Sequence, residues 1–285
     1  MSGFSPEWLA LREPADHRAR SPALLRELRS LFAGREAVTV VDLGCGTGSN
    51  LRACAPCLPA RQAWALVDHD LGLLDVARRR LSAWADGVEA DGDRLRLAKD
   101  GTNIAVRFVE ADLADGAGAL FDDRPGLVTA AALFDLVSPA WIEAFARHAA
   151  EAGAVFYTAL TYGGAEAWAP PHPADRDMLT AFLNHQRRDK GFGPSAGPGA
   201  TDALAQAFGS LGYTVRTAGS PWRLGSRDAA LMRALAQGTA DAVRETGEVP
   251  EPIVRDWLEA RLRASLAAAT CEIGHTDLLA VPPPA

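Results

Sequence analysis

The stretch Val40-Val41-Asp42-Leu43-Gly44-Cys45-Gly46-Thr47-Gly48 decides the fold of this chain. It follows the run Ala37-Val38-Thr39, so an apolar strand ends in a turn with glycine at three alternate positions. Glycine lets the backbone bend tightly and approach a ligand without a Cβ clash. Because Leu51-Arg52-Ala53 then opens a helical pattern, the stretch predicts a strand, a turn and a helix that frame a nucleotide-type crevice.

The spacing of the glycines separates two kinds of crevice. Dinucleotide dehydrogenases carry G-x-G-x-x-G, whereas this chain reads D-x-G-x-G-x-G from Asp42 to Gly48. This pattern resembles the first motif of class I S-adenosylmethionine-dependent methyltransferases. The resemblance implies that Asp42 faces the cationic amino-acid end of S-adenosylmethionine and that the glycines lie against its ribose. The turn residues that it assigns to the cofactor are Gly44, Cys45, Gly46 and Gly48.

Acidic residues after the next two predicted strands extend the resemblance. The buried-type strand 63–67 ends in Asp68, about 20 residues beyond the last glycine, the offset at which a carboxylate reaches a ribose hydroxyl. A third strand, 106–110, leads into Ala111-Asp112-Leu113, which is similar to the family's adenine-contacting turn. Each acid also has a plainer interpretation, since Asp42 and Asp112 are suited to cap turns and Asp68 to a solvated strand end. We assign to the cofactor Asp68, His69, Asp112, Leu113 and Leu133.

Candidate catalytic residues follow the fourth and fifth predicted strands, 127–132 and 154–160. A protonated nucleophile needs a general base, and Asp135 and His185 are the candidates. Tyr162 either orients the nucleophile or places its ring against the sulfonium as a cation–π partner. Asp135 also suits a helix cap, a role for which Ser138, before a proline, competes.

The strand and helix signals predict a doubly wound α/β fold. We expect a seven-stranded, mostly parallel sheet with an antiparallel edge hairpin, N-terminal helices and a helical insertion. Residues 87–105 carry a further hairpin signal around Asp100-Gly101. The predicted divisions are an N-terminal helical lid at 1–35, the methyltransferase domain at 36–285, and within it a substrate loop at about 162–200 and two helices at about 225–268.

The N-terminal segment contains two Ser-Pro pairs, Ser5-Pro6 and Ser21-Pro22, which predict two short capped helices. The charged residues 11–20 lie between these two helix starts. They form either a solvated helix surface or a lid over the cofactor carboxylate. In the lid interpretation Arg18 or Arg20 pairs with that carboxylate, and we assign Arg20 to the cofactor.

The residues expected to bind the substrate are mostly basic. They are Arg187, Arg188, Lys190, Trp222 and Arg223. Arginine and lysine pair with carboxylates, which favours a small anionic or zwitterionic metabolite. The alternative for the cluster near 187 is a solvent-facing helix end, where positive charge suits the C-terminal dipole. The chain also lacks the Asn-Pro-Pro-Tyr type motif of enzymes that methylate bases or glutamine, since it reads Leu133-Phe134-Asp135-Leu136 there.

Composition is consistent with a cytoplasmic enzyme of a small molecule. The 285 residues are 48% hydrophobic and 23% charged, and no apolar run approaches the ~18 residues that span a bilayer. A net charge of −7 argues against a broad electrostatic grip on nucleic acid. Four cysteines do not form a disulfide framework, and Cys54-Ala55-Pro56-Cys57 lacks a second pair to complete a zinc site, so we expect thiols and no metal.

The sequence therefore predicts a methyltransferase that uses S-adenosylmethionine, releases S-adenosylhomocysteine and acts as a monomer or homodimer on a small metabolite. In-line transfer needs near-attack geometry and exclusion of water. Two alternatives are an RNA or protein methyltransferase and a non-catalytic S-adenosylmethionine-binding regulatory protein. A nicotinamide oxidoreductase is disfavoured by the glycine spacing.

Overall fold

A ten-stranded sheet runs through the computed structural model, which describes residues 4–189, 191–264 and 269–284. The strands are β1 (Ala37–Leu43), β2 (Arg61–Asp68), β3 (Gly87–Asp91), β4 (Arg94–Lys99), β5 (Thr102–Glu110), β6 (Leu127–Ala131), β7 (Val155–Ala169), β8 (Thr214–Gly219), β9 (Trp222–Leu224) and β10 (Thr270–Val281). The helices are α1 (Pro6–Ala19), α2 (Pro22–Leu31), α3 (Ser49–Cys54), α4 (Leu71–Trp84), α5 (Pro139–Ala152), α6 (Asp175–Gln186), α7 (Ala200–Ser210), α8 (Ala229–Thr246) and α9 (Glu251–Ala264).

The strand order is β3-β4-β5-β2-β1-β6-β7-β10-β8, with β9 paired to β10. The five central strands β5, β2, β1, β6 and β7 are parallel. At one side β10 runs antiparallel to β7, β8 and β9, and at the other β3, β4 and β5 form an antiparallel meander. The predicted mostly parallel sheet with an antiparallel edge is confirmed, but it has ten strands where seven were expected, since β3 and β4 extend one edge and β9 pairs separately with β10.

Two elements are longer than the sequence patterns indicated. The predicted hairpin near residue 100 is confirmed, but its second strand is continuous with the third predicted strand as β5. The predicted substrate loop was expected to begin at Tyr162, yet β7 continues to Ala169. Residues 162–169 pair with the first half of β10, which lies more than a hundred residues further along the chain. We call this two-stranded extension the ribbon.

The carboxyl-terminal halves of β1 and β2 are buried on both faces, and their side chains alternate between two core clusters. In β1, Val38 and Val40 face the cluster that contains α2 and α3, while Val41 and Leu43 face the cluster of α5 and α7. Aromatic residues of the second cluster pack against one another, with the Phe145 and Phe156 rings 5.0 Å apart and edge to face. Because the central strands are parallel, their carboxyl ends lie together at one edge of the sheet.

The two Ser-Pro helix starts are confirmed. Ser5 Oγ accepts from the Trp8 amide at 3.2 Å, and Ser21 Oγ accepts from the Leu24 amide at 3.4 Å. However, residues 11–19 do not connect two short helices, because α1 continues through Pro14 to Ala19. Arg12 and Asp16, on either side of this proline, pair at 2.9 Å on the same helix.

Helices α6, α8 and α9 form a helical cap that packs on the ribbon through Trp168 and Trp257, whose rings lie 5.9 Å apart. Within the cap Arg261 pairs with Asp175, which also accepts from Trp257 Nε1 at 2.7 Å. The predicted helical insertion is confirmed as α8 and α9, which lie between β9 and β10.

Along the ranges that the structure describes, no helix has the length and apolar character of a membrane span. The cysteines are buried free thiols, as expected.

A buried carboxylate joins the N-terminal helices to the sheet. Asp277 in β10 is fully buried. Its Oδ2 accepts from the Ser21 amide at 2.8 Å and from Tyr157 Oη at 3.2 Å, and its Oδ1 accepts from the Leu160 amide at 2.9 Å. The start of α2, the middle of β7 and β10 are therefore fixed by one side chain.

We expect Asp277→Asn to lower the free energy of unfolding by about 3 kcal/mol, because its amide nitrogen faces a donor that loses its acceptor in a buried site. Urea unfolding followed by circular dichroism measures this. Asp123→Asn is the control, since Asp123 is an exposed partner of Arg107 at 3.1 Å and such pairs contribute at most about 1 kcal/mol. Equal stability losses in the two variants would contradict the central role of Asp277.

Candidate functional site

The glycine turn between β1 and α3 is held at the carboxyl edge of the sheet. Gly44, Gly46 and Gly48 have φ angles of +59°, +52° and +74°, in the region that side chains disfavour. The Cys45 amide donates to the Val67 carbonyl at 2.9 Å, and the Gly46 amide donates to Asp68 Oδ2 at 2.8 Å. Residues at the end of β2 therefore shape the turn that follows β1.

Asp68 is buried beneath this turn, so its interpretation as a solvated strand end is wrong. It is 5% exposed, and its Oδ1 also accepts from the Asp70 amide at 3.1 Å. A carboxylate has about four acceptor positions, so it retains acceptor capacity for a hydroxyl. His69 beside it is exposed, with Nδ1 at 3.4 Å from Asp68 Oδ1. Asp70 caps α4, accepting from the Gly72 and Leu73 amides.

Asp42 lies fully buried at the end of β1. Its Oδ1 accepts from Asn50 Nδ2 at 2.6 Å, and the same amide group donates to Thr129 Oγ1 at 3.1 Å. Its Oδ2 has no hydrogen-bond partner in the part of the chain that the structure describes. Burial raises the pKa of Asp42 to about 7, although Asn50 and Arg20 act to lower it. A buried carboxylate oxygen without a donor is well suited to an ammonium ligand.

Arg20 supplies the opposite charge. It is 4% exposed, which rules out the solvated interpretation for this residue. Its Nη1 lies 3.8 Å from Cys54 Sγ, and its Nε has no acceptor among the described residues. Burial alone would lower the pKa of Arg20, but Cys54 and the Asp277 carboxylate raise it above its ordinary value, so the guanidinium stays charged. Arg18 instead pairs with Asp228 at 2.5 Å.

Helix α1 lies directly over the glycine turn. A Cβ on Gly46 would meet Leu9 Cδ1 at 3.0 Å. Glu13 pairs with Arg52 at 2.6 Å and with Arg80 at 3.6 Å, and these arginines belong to α3 and α4. The N-terminal helix is thus fixed to both helices that flank the turn.

The predicted adenine side is formed by the turn after β5 and by Leu133. Asp112 is exposed and its Oδ1 accepts from the Ala114 amide at 2.9 Å, so it does cap a turn. Leu113 is buried and its carbonyl accepts from Trp141 Nε1 at 2.7 Å. Leu133 covers the turn, 3.4 Å from a Cβ built on Gly44. Contact of these residues with adenine stays a prediction.

Asp135, in the segment that follows β6, lies beside Tyr162, in the middle of β7. Asp135 Oδ1 is buried with no partner that the structure describes. Burial raises the pKa of Asp135 to about 6, against the lowering effects of Arg12 and of the Tyr162 backbone. Ser138 caps α5, accepting from the Trp141 amide at 3.2 Å. Asp135 is therefore free of the alternative role as a helix cap.

Aromatic and charged side chains surround this pair. Tyr162 Oη donates to Glu166 Oε1 at 2.9 Å, and burial together with Glu166 raises the pKa of the Tyr162 phenol. The His275 ring lies 6.0 Å from the Tyr162 ring and 4.9 Å from that of Trp222. Burial and Arg12 lower the pKa of His275 to about 3, so its ring is neutral. We call this group the acceptor cluster; its members are Arg12, Asp135, Tyr162, Glu166, Trp222 and His275.

Three members of the acceptor cluster were missed in the sequence. Arg12 and Asp16 stand one helical turn apart, a spacing that signals an ion pair but not its position. Glu166 lies in the segment 162–169, which was predicted as a loop and not as a strand. His275 lies on β10, where only pairing with that segment brings it beside Tyr162. The carboxylate of Asp16 also accepts from Trp222 Nε1 at 3.0 Å, so α1 contributes to this side of the crevice as well.

The expected basic substrate site does not form as a cluster. Arg187 and Arg188 are exposed at the end of α6, as the helix-end alternative proposed, and Arg188 pairs with Glu245 at 3.7 Å. Arg223 is 74% exposed beside Glu272, because it alternates with buried Trp222 along β9. Lys190 lies outside the described residues.

His185, the second candidate base, makes its contact within the cap. Its Nε2 lies 2.9 Å from Glu245 Oε2 of α8. No contact with Asp135 or Tyr162 is present in the described ranges. Its role as a base stays a prediction, and Asp135 is the better placed of the two.

No protein-family model matches the sequence, and a search of curated proteins finds no match. Solved structures do match over their full length. A cyclopropane-fatty-acyl-phospholipid synthase-like protein from Lactobacillus casei shares 17% identity, with 97% of this chain and 94% of that chain covered and a TM-score of 0.50. A Geobacter sulfurreducens S-adenosylmethionine-dependent methyltransferase in complex with S-adenosylhomocysteine shares 16% identity, with 98% of this chain and 99% of that chain covered and a TM-score of 0.47. A Mycobacterium tuberculosis cyclopropane synthase shares 12% identity, with 97% of this chain and 94% of that chain covered and a TM-score of 0.49.

The fold is that of class I S-adenosylmethionine-dependent methyltransferases. Two observations agree on this: the central strand order with its antiparallel strand beside β7, and the full-length likeness to the Lactobacillus casei structure. The fold predicted from the sequence is therefore confirmed. In this methyltransferase fold Asp42, Asp68 and the glycine turn lie at the carboxyl ends of parallel strands, where open α/β sheets bind ligands.

We expect Gly46→Ala to loosen α1, because the new methyl group meets Leu9. Trypsin should then cut after Arg12 or Arg18 roughly fivefold faster, the factor that corresponds to 1 kcal/mol of opening free energy. Gly92→Ala is the matched control, since Gly92 has a φ of +63° but a Cβ added to it would meet no atom within 4 Å. Equal cleavage rates in the two variants would show that Leu9 does not restrain the helix.

Proposed function

We propose that this protein is an S-adenosylmethionine-dependent methyltransferase of a small zwitterionic metabolite. The observation that carries the cofactor assignment is a pair of buried, opposite charges, Asp42 and Arg20. Each has a polar atom without a partner among the described residues. Unpartnered charges are costly in a protein interior. A ligand with both an ammonium and a carboxylate relieves both costs.

The residues present fit the amino-acid end of S-adenosylmethionine. Asp42 Oδ2 is the acceptor for the ammonium, and Arg20 Nε is a donor for the carboxylate. Asp68 retains acceptor positions for ribose hydroxyls. The glycine turn lies next to Asp68, whose Oδ2 accepts from the Gly46 amide.

When bound, S-adenosylmethionine supplies a methyl group activated by a cationic sulfur. The chain's own contribution is to position the acceptor, exclude water and receive a proton. Helix α1 shields the crevice through Leu9 and Glu13. Asp135, whose pKa lies at about 6, is ionised at neutral pH and able to take a proton from the acceptor. Tyr162, held by Glu166, orients the acceptor beside it.

The charges of the acceptor cluster support a zwitterion rather than a simple anion. The arginines that suggested an anion are exposed and lie outside the cluster. Asp135 has a free carboxylate oxygen suited to an ammonium, and Arg12 lies near enough to act on its pKa. The retained Asp135 and Tyr162 favour an enzyme over a non-catalytic binding protein. A cytoplasmic location and the oligomeric state stay predictions from the sequence.

We expect the affinity for S-adenosylhomocysteine to rise about tenfold between pH 6 and pH 8. Below its pKa of about 7, Asp42 is protonated and neutral and no longer attracts the ligand's ammonium. Calorimetric titration across this range measures the effect. Asp42→Asn should give weak binding with a flat pH profile, while Asp123→Asn should retain the wild-type profile. No binding at any pH would refute the proposed cofactor.

We expect Asp135→Asn to lower the rate of methyl transfer at least 100-fold while changing S-adenosylhomocysteine affinity less than twofold, because the base is lost but not the cofactor site. The assay follows methyl uptake from S-adenosylmethionine into a panel of α-amino acids, their decarboxylated amines and their deaminated acids. Preferred methylation of the deaminated acids would contradict the zwitterionic acceptor.

Asp112→Asn tests the separate adenine prediction, since it should weaken cofactor binding without changing acceptor preference.

A further inference from the structure

A second cavity lies at the opposite edge of the sheet from the glycine turn. It has a volume of about 970 Å³ and is lined by the amino-terminal residues of β1, β2 and β5 and by β3 and β4. The seven residues of β1 span roughly 23 Å at 3.3 Å per residue. The cavity is therefore well separated from the proposed methyl-transfer site. We call it the trough.

The trough exists because part of one sheet face carries no helix. On the side covered by α5 and α7, the β1 residues Val41 and Leu43 are buried, but Ala37 and Thr39 are exposed. β2 repeats this pattern, with Ala65 buried and Ala63 exposed. A parallel sheet normally has helices on both faces.

The connection between β5 and β6 explains the gap. It contains two short 3₁₀ turns, Leu113–Asp115 and Gly118–Phe121, where a crossover helix would usually lie. Leu113, Ala117 and Phe121 from this connection join the core cluster over the carboxyl-terminal half of the strands. The amino-terminal half stays uncovered.

The lining is basic although the chain is acidic. Arg35, Arg61, Arg96 and Arg124 line the trough, with Glu89 as the carboxylate among its lining residues. This contrasts with the chain's net charge of −7. An acidic protein that gathers four arginines around one uncovered face has a surface complementary to an anion.

These arginines are available to a ligand. Arg61 and Arg96 pair with exposed Glu36 and Asp91, each at 2.8 Å, and such pairs are worth at most about 1 kcal/mol. Two others have no carboxylate partner in the described residues: Arg124 donates to the Glu151 carbonyl, and Arg35 lies over the Phe32 ring.

The floor of the trough is flat, and most of its side chains are small. Ala37, Ala63, Ala98 and Ala105 lie between the arginines, and Val88 at the rim is 47% exposed. Arg96 on β4 is level with Ala63 on β2, because both pair with Ala105. Arg61 lies two residues along β2 from Ala63, so the Cα atoms of Arg61 and Arg96 are about 12 Å apart at ~4.8 Å per strand and ~3.3 Å per residue. Carboxylates seven residues apart on an α-helix are about 10 Å apart, within reach of both long arginine side chains.

From this geometry we propose that the trough docks an acidic helix of another protein. The helix would cover the uncovered sheet face as a crossover helix does, with apolar or small residues on the alanine floor and Glu or Asp toward the arginines. A second copy of this chain is a poorer occupant, because its exposed helices, such as α8 with Asp241 and Arg244, mix both signs. The proposal does not depend on the methyltransferase activity.

The test uses a labelled, capped helical peptide of alanine with glutamate at every seventh position and glutamine at the other solvent-facing positions. Fluorescence anisotropy measures its binding to the full-length protein. We expect binding that weakens at least tenfold in Arg35→Gln/Arg124→Gln and in Ala63→Trp, whose indole fills the floor. The control Arg147→Gln/Arg255→Gln removes two exposed arginines elsewhere and should bind as the wild type does.

Three outcomes would overturn the proposal. They are equal binding of a peptide with glutamine in place of glutamate, tighter binding of a single-stranded oligonucleotide that the trough variants abolish, and a concentration-dependent dimer, seen by sedimentation, that the same variants abolish. Absence of binding to the glutamate peptide also counts against it. Circular dichroism and S-adenosylhomocysteine titration of each variant show whether the fold and the cofactor site survive. If the wild-type protein binds the peptide but not S-adenosylhomocysteine, only the methyltransferase proposal is refuted.

Discussion

Burial of charge at Asp277 is the constraint on which the rest of the structure depends. A fully buried carboxylate must be met by donors, and Asp277 meets three, from Ser21, Tyr157 and Leu160. Leu160 adopts a φ of +60°, which a leucine disfavours, and the pairing of β10 with β7 shifts register beside Asp277. The cost of this backbone geometry is offset by satisfying the carboxylate. Arg20, next to Ser21 in the chain, is thereby brought into the interior.

Charged side chains of the crevice are also held by hydrogen-bond donors or by opposite charges. Asp68 shapes the glycine turn, Asp42 holds Asn50, and Glu13 joins α1 to Arg52 and Arg80. What distinguishes the crevice from an ordinary core is that charged groups within it are incompletely satisfied, and two of these lie beside the glycine turn. Among the described residues, the Glu13–Arg52 ion pair has no unpartnered buried atom, whereas Asp42 and Arg20 each keep one. This difference is the physical basis for assigning function to these two residues.

The cofactor half of the site was predictable because the carboxyl ends of parallel strands meet at one edge of a sheet. Asp42 and Asp68 could be placed together from local patterns alone. The acceptor half was not, because the ribbon depends on pairing between residues 162–169 and β10, far away in the chain. Strand alternation then separated Trp222 from Arg223, which the sequence interpretation had grouped as one site. His275 and Arg12 gave no local signal, because only tertiary packing brings them to Tyr162.

The position of the helical insertion has an evolutionary consequence. Leu224 at the end of β9 pairs directly with Cys271 near the start of β10, so the chain leaves the sheet and returns to it one strand spacing away. Lengthening, shortening or replacing α8 and α9 leaves the register of the sheet unchanged, because a short turn closes the same gap. The cap is thus inserted at one point of the sheet, where its length and sequence can change without moving the strands that carry the glycine turn.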